Sequence, residues 1–243
     1  MKKQLMIGVL GMFVGSALAA GPIDEIKAAA KKLADSSGYS WKATTESPRA
    51  GGGGGGGGGP RMGGPTEGKA LKDGTVYLMM QRANNTVEAY VKGEKGAIKT
   101  EEGWQALSEA GQAGGGPGRG LFISRMLMNY KAPAAEVVEF AEKVANLKKE
   151  GDAYVGDFTE EGAKAVLAGP MRRANNPPNI SGAKGSLKVW IKDGVLSQYE
   201  YTVQGTMTVG GNEREINRKV KVEIKDVGNT KFEVPADAKA KMS

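Results

Sequence analysis

Two residue types that carry much of enzyme chemistry are absent from this sequence, whose 243 residues include no His and no Cys. Their absence excludes Ser-His-Asp and Cys-His triads, thiol redox chemistry, and nearly all zinc and haem sites. Catalysis by paired carboxylates or by a lysine-activated serine needs neither residue. Three features therefore remain as candidates for a catalytic or ligand-binding site: a Ser-Lys spacing, a pair of glutamates and a run of glycines.

The Ser-Lys spacing is the segment Ser181-Gly-Ala-Lys184. Serine–lysine acyl enzymes place S-x-x-K at the start of a helix, so that the lysine can activate the serine. Here the segment follows NNPPN in an irregular stretch and precedes a strand-like run. We therefore predict that the spacing arises by chance, and that Ser181→Ala changes nothing except local loop order.

The two glutamates, Glu160 and Glu161, follow Thr159 and open the segment EEGAKAVLA. An acid/base pair is one interpretation of adjacent carboxylates. Thr159 is a favourable helix N-cap, however, and the helix dipole favours carboxylates in the first turn. The pattern therefore predicts the start of a short helix.

Residues 51–59 are nine consecutive glycines, followed by PRMGGP. A phosphate-binding loop would continue with Lys and Ser or Thr, which are missing here. Because glycine loses the most conformational entropy on ordering, we predict a disordered loop at about residues 48–65 and a second Gly-rich loop at residues 108–118. The sequence thus predicts no catalytic, cofactor-binding or metal-binding residue, and a protein that is not an enzyme.

The N-terminus predicts export. Lys2 and Lys3 form a positive n-region, residues 5–14 form an apolar h-region too short to span a bilayer, and Ala17-Leu18-Ala19 is a small-x-small cleavage site. We predict cleavage between Ala19 and Ala20, and one periplasmic domain over residues 20–243. Since no cysteine follows the h-region for lipid attachment, a soluble domain without disulfides is expected.

The formal net charge is +7, and the two lysines of the signal contribute to it. Most basic residues are interleaved with acidic ones, as in EREINRKVKVEIKD, which is typical of a solvated mixed surface. A nucleic-acid interface would need a clustered basic face. We therefore expect no nucleic-acid partner, at most peripheral contact with a membrane, and a monomer.

The N-terminal half predicts a helix and then a β-meander. Ile26, Ala30 and Leu33 recur at helical spacing after Pro22. The segment Tyr39–Ser47 has strand composition, and short strand-like runs fill residues 66–107, with a hairpin turn at Asp73-Gly74.

The middle of the chain predicts helices. The run GLFISRMLMNY is apolar almost all round, and residues 132–151 fit a single helix with Val137, Ala141 and Val144 on one face. The strand-like run DAYVGDF follows, ahead of the helix that begins after Thr159.

The C-terminal third predicts three long antiparallel strands. A two-residue primed turn at Gly210-Gly211 pairs Tyr201 with Val220 and Tyr199 with Val222.

The turn between the first and second of these strands has two possible lengths. A two-residue turn would put Val195 on the wrong face of its strand. We therefore predict a three-residue loop, Lys192-Asp193-Gly194, which pairs Val189 with Ser197 and Leu187 with Tyr199.

These strands share one apolar face, and the opposite face is charged and predicted to be solvated. The apolar face comprises Leu187, Val189, Ile191, Tyr199, Tyr201, Val203, Met207, Val220 and Val222. Long one-sided antiparallel strands twist strongly and must be covered on one face. The predicted fold class is α+β: a long, strongly curved antiparallel sheet, or half-barrel, with helices covering its concave face.

Three segments carry a family resemblance. LKVWIKDGVLSQYEY resembles the strand, DG turn and strand of the LolA-like half-barrel superfamily, and VKVEIKDVGNTKFEVPADA resembles its ending, where a long strand passes through a D-x-G bend into x-V-P. DAYVGDFTEEGAKAVL resembles a strand-then-helix step of these proteins. The superfamily includes the periplasmic lipoprotein carrier, its outer-membrane acceptor and mycobacterial lipid carriers of the LppX and LprG type.

The resemblance implies an apolar cavity, between the curved sheet and the helices, that binds a lipid or a lipidated partner without a cofactor. The nine residues of the apolar face would line it, and Leu121, Met126 and Met128 would belong to a lid whose methionines adapt to varied ligands. The alternative is a structural or protein-interaction module of the cell envelope with a filled core. Both interpretations need the same alternation of apolar and polar residues.

Overall fold

The computed structural model describes residues 21–47, 64–82, 85–110, 119–169, 177–209 and 211–242. The predicted signal peptide, its cleavage site and the nine glycines lie outside these residues, as do residues 111–118 of the second Gly-rich loop.

The helices and strands follow one another in chain order. They are α1 (Pro22–Asp35), β1 (Gly38–Glu46), β2 (Thr66–Leu71), β3 (Val76–Arg82), β4 (Asn85–Lys92), β5 (Lys95–Thr100), β6 (Gly103–Ala106), α2 (Leu107–Ala110), α3 (Arg119–Met128), α4 (Pro133–Ala141), β7 (Val144–Glu150), β8 (Ala153–Phe158), α5 (Glu160–Ala168), β9 (Asn179–Lys192), β10 (Val195–Val209), β11 (Asn212–Lys225) and α6 (Ala236–Lys241).

The strands form one 11-stranded antiparallel sheet in the order β6-β5-β4-β3-β2-β1-β11-β10-β9-β8-β7. β1 pairs with both β2 and β11, so the N-terminal meander and the C-terminal hairpins meet in the middle of the sheet. The predicted α+β class, a single antiparallel sheet with helices, is confirmed. The strong curvature of the predicted half-barrel stays a prediction.

The predicted N-terminal helix is confirmed as α1. Pro22 occupies its first turn, where the missing N–H is tolerated, and Ile26, Ala30 and Leu33 are buried. This apolar stripe packs against α4 and β10. None of the helices in the described part of the chain is long and apolar enough to cross a membrane.

The predicted register of the last hairpin is confirmed. Tyr199 pairs with Val222 and Tyr201 pairs with Val220, as the turn at residues 210–211 requires. Buried residues alternate with more exposed ones over residues 199–203 of β10 and 220–223 of β11, so the inward face there is fixed by the period of two.

The predicted register of the hairpin β9–β10 is wrong. Its turn has two residues, Asp193 and Gly194, with φ angles of 54° and 72°, as a primed turn requires. A β-bulge between Leu196 and Gln198 then shifts the pairing, so that Tyr199 lies opposite Val189 and Tyr201 opposite Leu187. The prediction assumed an unbroken ladder, whereas one extra residue restores the inward face without a longer loop.

The single helix predicted over residues 132–151 is also wrong. α4 ends at Ala141, and residues 144–150 form the edge strand β7. Val144 pairs with Phe158 of β8 and is buried there. Pairing with β8 thus overrides a spacing that fits a helix equally well, because short apolar runs do not distinguish the two.

Helices and sheet bury one main core. It joins the inner face of the strands to α1, α4 and α5, with contributions from α2 and α3. A second, smaller cluster lies on the other face of β3–β6, where Tyr90 and Ala97 pack against Ala238 of α6 and against Phe232. The sequence pattern of the C-terminal segment did not predict that it covers this face of the sheet.

Candidate functional site

A cleft of about 600 Å³ lies between the inner face of the sheet and helices α3–α5. Strands β1–β3, β10 and β11 form its sheet side, and the segment joining α3 to α4 contributes to its opposite side. The residues that line it are Thr45, Gly64, Thr66, Met80, Gln81, Gly93, Glu94, Met126, Met128, Asn129, Tyr130, Lys131, Glu136, Glu139, Phe140, Ala165, Val166, Gly169, Tyr201 and Arg218.

Part of the cleft wall is apolar and rich in methionine. Met80 of β3 and Met126 and Met128 of α3 supply flexible side chains, which fit irregular apolar surfaces. Phe140 of α4 meets Tyr201 of β10 edge to face, with ring centroids 4.8 Å apart. The wall can therefore pack against an apolar chain of variable shape.

A stacked aromatic pair fixes the segment that follows α3. Trp41 of β1 stacks on Tyr130, with ring centroids 6.4 Å apart and an interplanar angle of 14°. Gly68 lies opposite Trp41 on β2, and a Cβ at this position would lie 2.1 Å from the indole ring. Glycine at this position thus gives the indole room to lie across the sheet, where it supports Tyr130.

A glutamate from α4 projects into the same interior. Glu136 is partly exposed, lines the cleft and accepts a hydrogen bond from the Tyr199 hydroxyl. Burial of the carboxyl raises the pKa of Glu136, against the hydrogen bond from Tyr199 and the charge of Arg218, which both lower it. Burial, followed by the negative charge of Glu136, raises the pKa of Tyr199 and of Tyr130 well above the ordinary value.

An arginine reaches the cleft from the sheet. Arg218 lies opposite Val203 and shares the inward parity of Val220 on β11. One of its terminal nitrogens, Nη2, donates to the Val166 carbonyl of α5 at 3.2 Å, while Nε is buried without a hydrogen-bond partner. Arg218 forms no salt bridge with any residue that the structure describes.

The rim of the cleft carries a compensated charge cluster. Glu139 accepts from Lys131 and, at 2.5 Å, from Lys143. Burial opposes ionisation of this carboxyl, but the two lysines outweigh it and hold the pKa of Glu139 at about 2. The rim is therefore ionised but locally neutralised.

The structure places the predicted site residues in two groups. Tyr201, Met126 and Met128 line the cleft. The other residues of the predicted cavity lie in the main core, either buried or partly buried against it: Leu187, Val189, Ile191, Tyr199, Val203, Met207, Val220 and Val222. Leu121 lies in α3, but its side chain falls outside the described residues.

Glu136 and Arg218 were not among the site residues predicted from the sequence. The confirmed register supplied the signal for the arginine, because it pairs Arg218 with Val203 on an otherwise apolar inward face. No comparable signal marked Glu136, which occupies the first turn of a helix where acidic residues are common.

The Ser-Lys spacing and the pair of glutamates lie outside the residues that line the cleft. Ser181 and Lys184 are exposed residues of β9, which begins at Asn179, within the stretch that was predicted to be irregular. Thr159 accepts from the Gly162 N–H at 3.0 Å as the N-cap of α5, and Glu160 forms an ion pair with Lys164. No group of three or more Asp and Glu residues that could hold a metal ion occurs in the described part of the chain.

A second depression, of about 660 Å³, lies where α4 ends, beside α5 and the start of β9. Charged side chains surround it, among them Glu142, Lys143, Glu161 and Lys164. It lacks the methionine and aromatic wall of the first cleft, so the first cleft is the stronger candidate for an apolar ligand.

The fold and the site together define an α+β protein with one antiparallel sheet, a helical layer and a cleft between them. No protein-family model matches the sequence, and no curated protein matches it. Among solved structures, the chain is similar to the Mycobacterium tuberculosis lipoprotein LppX, with 12% identity and a TM-score of 0.48 over 87% of this chain and 97% of that one. It is also similar to LprF from Mycobacterium bovis, with 9% identity and a TM-score of 0.43 over 89% of this chain and 97% of that one.

The similarity to LppX agrees with the resemblance found in the sequence, which included proteins of the LppX type. At these identities the likeness concerns the course of the chain alone. The function of this chain is therefore inferred from the cleft.

Proposed function

We propose that this chain is an exported, non-catalytic binding protein that carries a lipid, or the lipid portion of a lipidated partner, in the cleft between the sheet and α3–α5. The observation that carries the proposal is the cleft itself. Its volume of about 600 Å³ is within the range typical of small-molecule sites, and its wall combines methionines with Phe140 and Tyr201.

The expected driving force is burial of the ligand's apolar chain. Each buried methylene contributes about 0.8 kcal/mol, so a chain of roughly eight methylenes supplies about 6 kcal/mol before the entropic cost of association. The methionines of α3 allow the wall to repack around chains of different length. No cofactor is needed for binding of this kind.

In this proposal α3 acts as the lid, with Leu121, Met126 and Met128 on it. Two of these side chains, Met126 and Met128, line the cleft. The stack of Trp41 on Tyr130 supports the segment immediately after α3. This segment is where we expect the lid to be attached.

The proposed setting is the periplasm, reached through a signal peptide cleaved between Ala19 and Ala20. The positive n-region, the short apolar h-region and the small-x-small site support this assignment. The mature protein is expected to be a monomer that makes at most peripheral contact with a membrane and binds no nucleic acid.

Native mass spectrometry of the mature protein, released gently from the periplasm, tests the proposal directly. A stoichiometric adduct of lipid mass that is lost on denaturation, followed by lipid analysis of an organic extract, is the expected result. A clean apo mass together with failure to bind added lipid would contradict it and favour an envelope interaction module with a filled core.

A matched pair of variants locates the adduct. Ala165→Trp fills the cleft from α5, whereas Ala135→Trp adds the same side chain at an exposed position of α4. Only the first variant should lose the lipid adduct, with both proteins folded by circular dichroism. Equal retention of lipid in both variants would place the ligand elsewhere.

A further inference from the structure

We infer that Arg218 binds an anionic head group, a carboxylate or a phosphate, so that the ligand of the cleft is an anionic amphiphile. This inference rests on the proposed function and names the ligand class of the same site. It starts from an inward-facing arginine whose hydrogen-bonding capacity is only partly used.

Arg218 is held in place, but the protein uses only part of its hydrogen-bonding capacity. Its Nη2 donates to the Val166 carbonyl, which fixes the guanidinium between β11 and α5. Its Nε is buried and has no partner. Arginine has five N–H donors in a rigid plane, and a buried donor without an acceptor is unfavourable. An oxyanion beside the guanidinium plane would satisfy the donors that the protein leaves free.

The charged residues that line the cleft are mixed, and three of them are carboxylates: Glu94, Glu136 and Glu139. Two cationic side chains line its described part, Lys131 and Arg218. Lys131 has its counter-ion in Glu139, whereas Arg218 has none among the described residues. Glu136 accepts from Tyr199, and its carboxyl interacts electrostatically with Arg218 without forming a salt bridge to it. Arg218 is thus the cation of the cleft without a salt bridge to a described residue, and it is the one with which a ligand anion would pair.

The surroundings of Arg218 join a polar end to an apolar wall. Arg218 and the Tyr201 hydroxyl interact electrostatically, and burial raises the pKa of Tyr201, which keeps the hydroxyl protonated as a donor. Tyr201 in turn meets Phe140 at 4.8 Å. A head group on Arg218 and Tyr201 would leave its chain beside Phe140 and the cleft methionines. Planar, bidentate pairing with carboxylate or phosphate is the geometry that arginine favours.

A series of dodecyl ligands tests the inference by calorimetry on delipidated mature protein, each ligand below its micellar concentration. The probes are dodecanoate, dodecyl phosphate, dodecanol and dodecyltrimethylammonium. We expect both anions to bind about tenfold more tightly than dodecanol, the size of one charge-assisted hydrogen bond. The cation should bind least well.

Two substitutions on β11 identify the group responsible. Arg218→Gln should remove the preference for anions and leave dodecanol affinity within about twofold, while Arg214→Gln, an exposed position of the same strand, should retain it. Arg218→Lys should keep part of the preference for dodecyl phosphate, because a lysine is a point charge without the planar fork. The ratio between dodecanoate and dodecyl phosphate separates a carboxylate ligand from a phosphate ligand.

The outcomes separate this inference from the proposed function. Failure of all four probes to bind would overturn both. Binding of dodecanol as tightly as the anions, or retention of the anion preference by Arg218→Gln, would overturn the role of Arg218 and leave the lipid cleft intact. Tighter binding of the cation would assign the head group to Glu136. Should Arg218→Gln fail to fold, the wild-type probe ratios and Arg218→Lys decide the question.

Discussion

Two parts of one interior differ in how completely they are filled. Where α1 and α5 pack on β9 and β10, Leu187, Val189 and Val203 are fully buried. Where α3 and the following segment face β1–β3, the same sheet surface borders a cleft of about 600 Å³ with Glu136 and Arg218 at its wall. Tyr199 belongs to the first region and Tyr201, two residues later, to the second.

The difference shows what the alternation of a strand specifies and what it leaves to the helices. Alternation directs Tyr199 and Tyr201 to the same face. Whether the side chain then meets a helix or a space depends on residues far away in sequence. Substitutions in the two regions should therefore separate stability from ligand binding.

The largest expected effect is loss of stability in the filled region. Leu187→Ala removes a fully buried side chain from the core and should lower the free energy of unfolding by about 2–5 kcal/mol. Urea denaturation followed by circular dichroism measures this change. Lipid affinity of the folded variant should stay within about twofold of wild type, and a large loss of affinity without loss of stability would contradict the division.

At the boundary between the two regions, we expect the Tyr199 hydroxyl to contribute to stability. Tyr199→Phe removes the donor to Glu136 and leaves that carboxyl without its hydrogen bond. The free energy of unfolding should fall by about 1–3 kcal/mol, the cost of an unsatisfied buried polar group. Tyr201→Phe provides the comparison, since its hydroxyl makes no such bond to Glu136, and an equal effect of both variants would argue against the Tyr199–Glu136 pair.

Glu136→Gln should change how stability depends on pH. Burial raises the pKa of Glu136 in the native protein above its ordinary value, so the native state binds a proton more readily than the unfolded chain. Wild-type stability therefore falls as pH rises from the unfolded pKa through the native pKa, by about 1.4 kcal/mol for each pH unit that separates these two pKa values.

The glutamine variant cannot ionise at this position and should lack that fall. Urea denaturation of both proteins from about pH 4 to pH 7 should give stability curves that diverge in favour of Glu136→Gln as the pH increases. Parallel curves would show that the carboxyl is solvated like an ordinary surface glutamate.

The cleft wall should respond in the opposite way to the core. Met126→Ala shortens a partly buried side chain at an existing space, so the free energy of unfolding should fall by only about 1 kcal/mol or less. Affinity for an apolar ligand should drop severalfold in a calorimetric titration. A loss of stability as large as that of Leu187→Ala would mean that this methionine belongs to the filled core.

The smallest effect is expected outside both regions. Ser181→Ala changes an exposed residue of β9 and should leave the free energy of unfolding within about 0.5 kcal/mol of wild type. Lipid binding should also be unchanged. A specific loss of an acyl-transfer activity in this variant would revive the Ser-Lys interpretation and contradict a purely binding role.

Much of the sheet could be predicted because its signals are local. The turn at residues 210–211 and the period of two along β10 and β11 were enough to pair Tyr199 with Val222. The bulge beside Ser197 was not predictable in the same way. It leaves the alternation intact on either side, and Ser197 donates to the Trp190 carbonyl only once the hairpin has formed.

The site was less predictable than the fold. Alternation could identify inward residues such as Leu187 and Tyr201 but could not distinguish a packed position from a cleft position. The apolar spacing around Val144 also fits both a helix and a strand, and β8, which decides the matter, lies later in the sequence. Placement of α4, and with it Glu136, therefore depends on tertiary pairing.

The pairing of β1 with β11 has a consequence for the order in which this molecule can fold. Ser40 donates to Asp226 at 2.6 Å across 186 positions of the chain. The middle of the sheet thus stays open until almost the whole polypeptide has been synthesised, and contacts of such high separation form slowly. The first strand of the chain therefore has to wait for the last before the sheet can close.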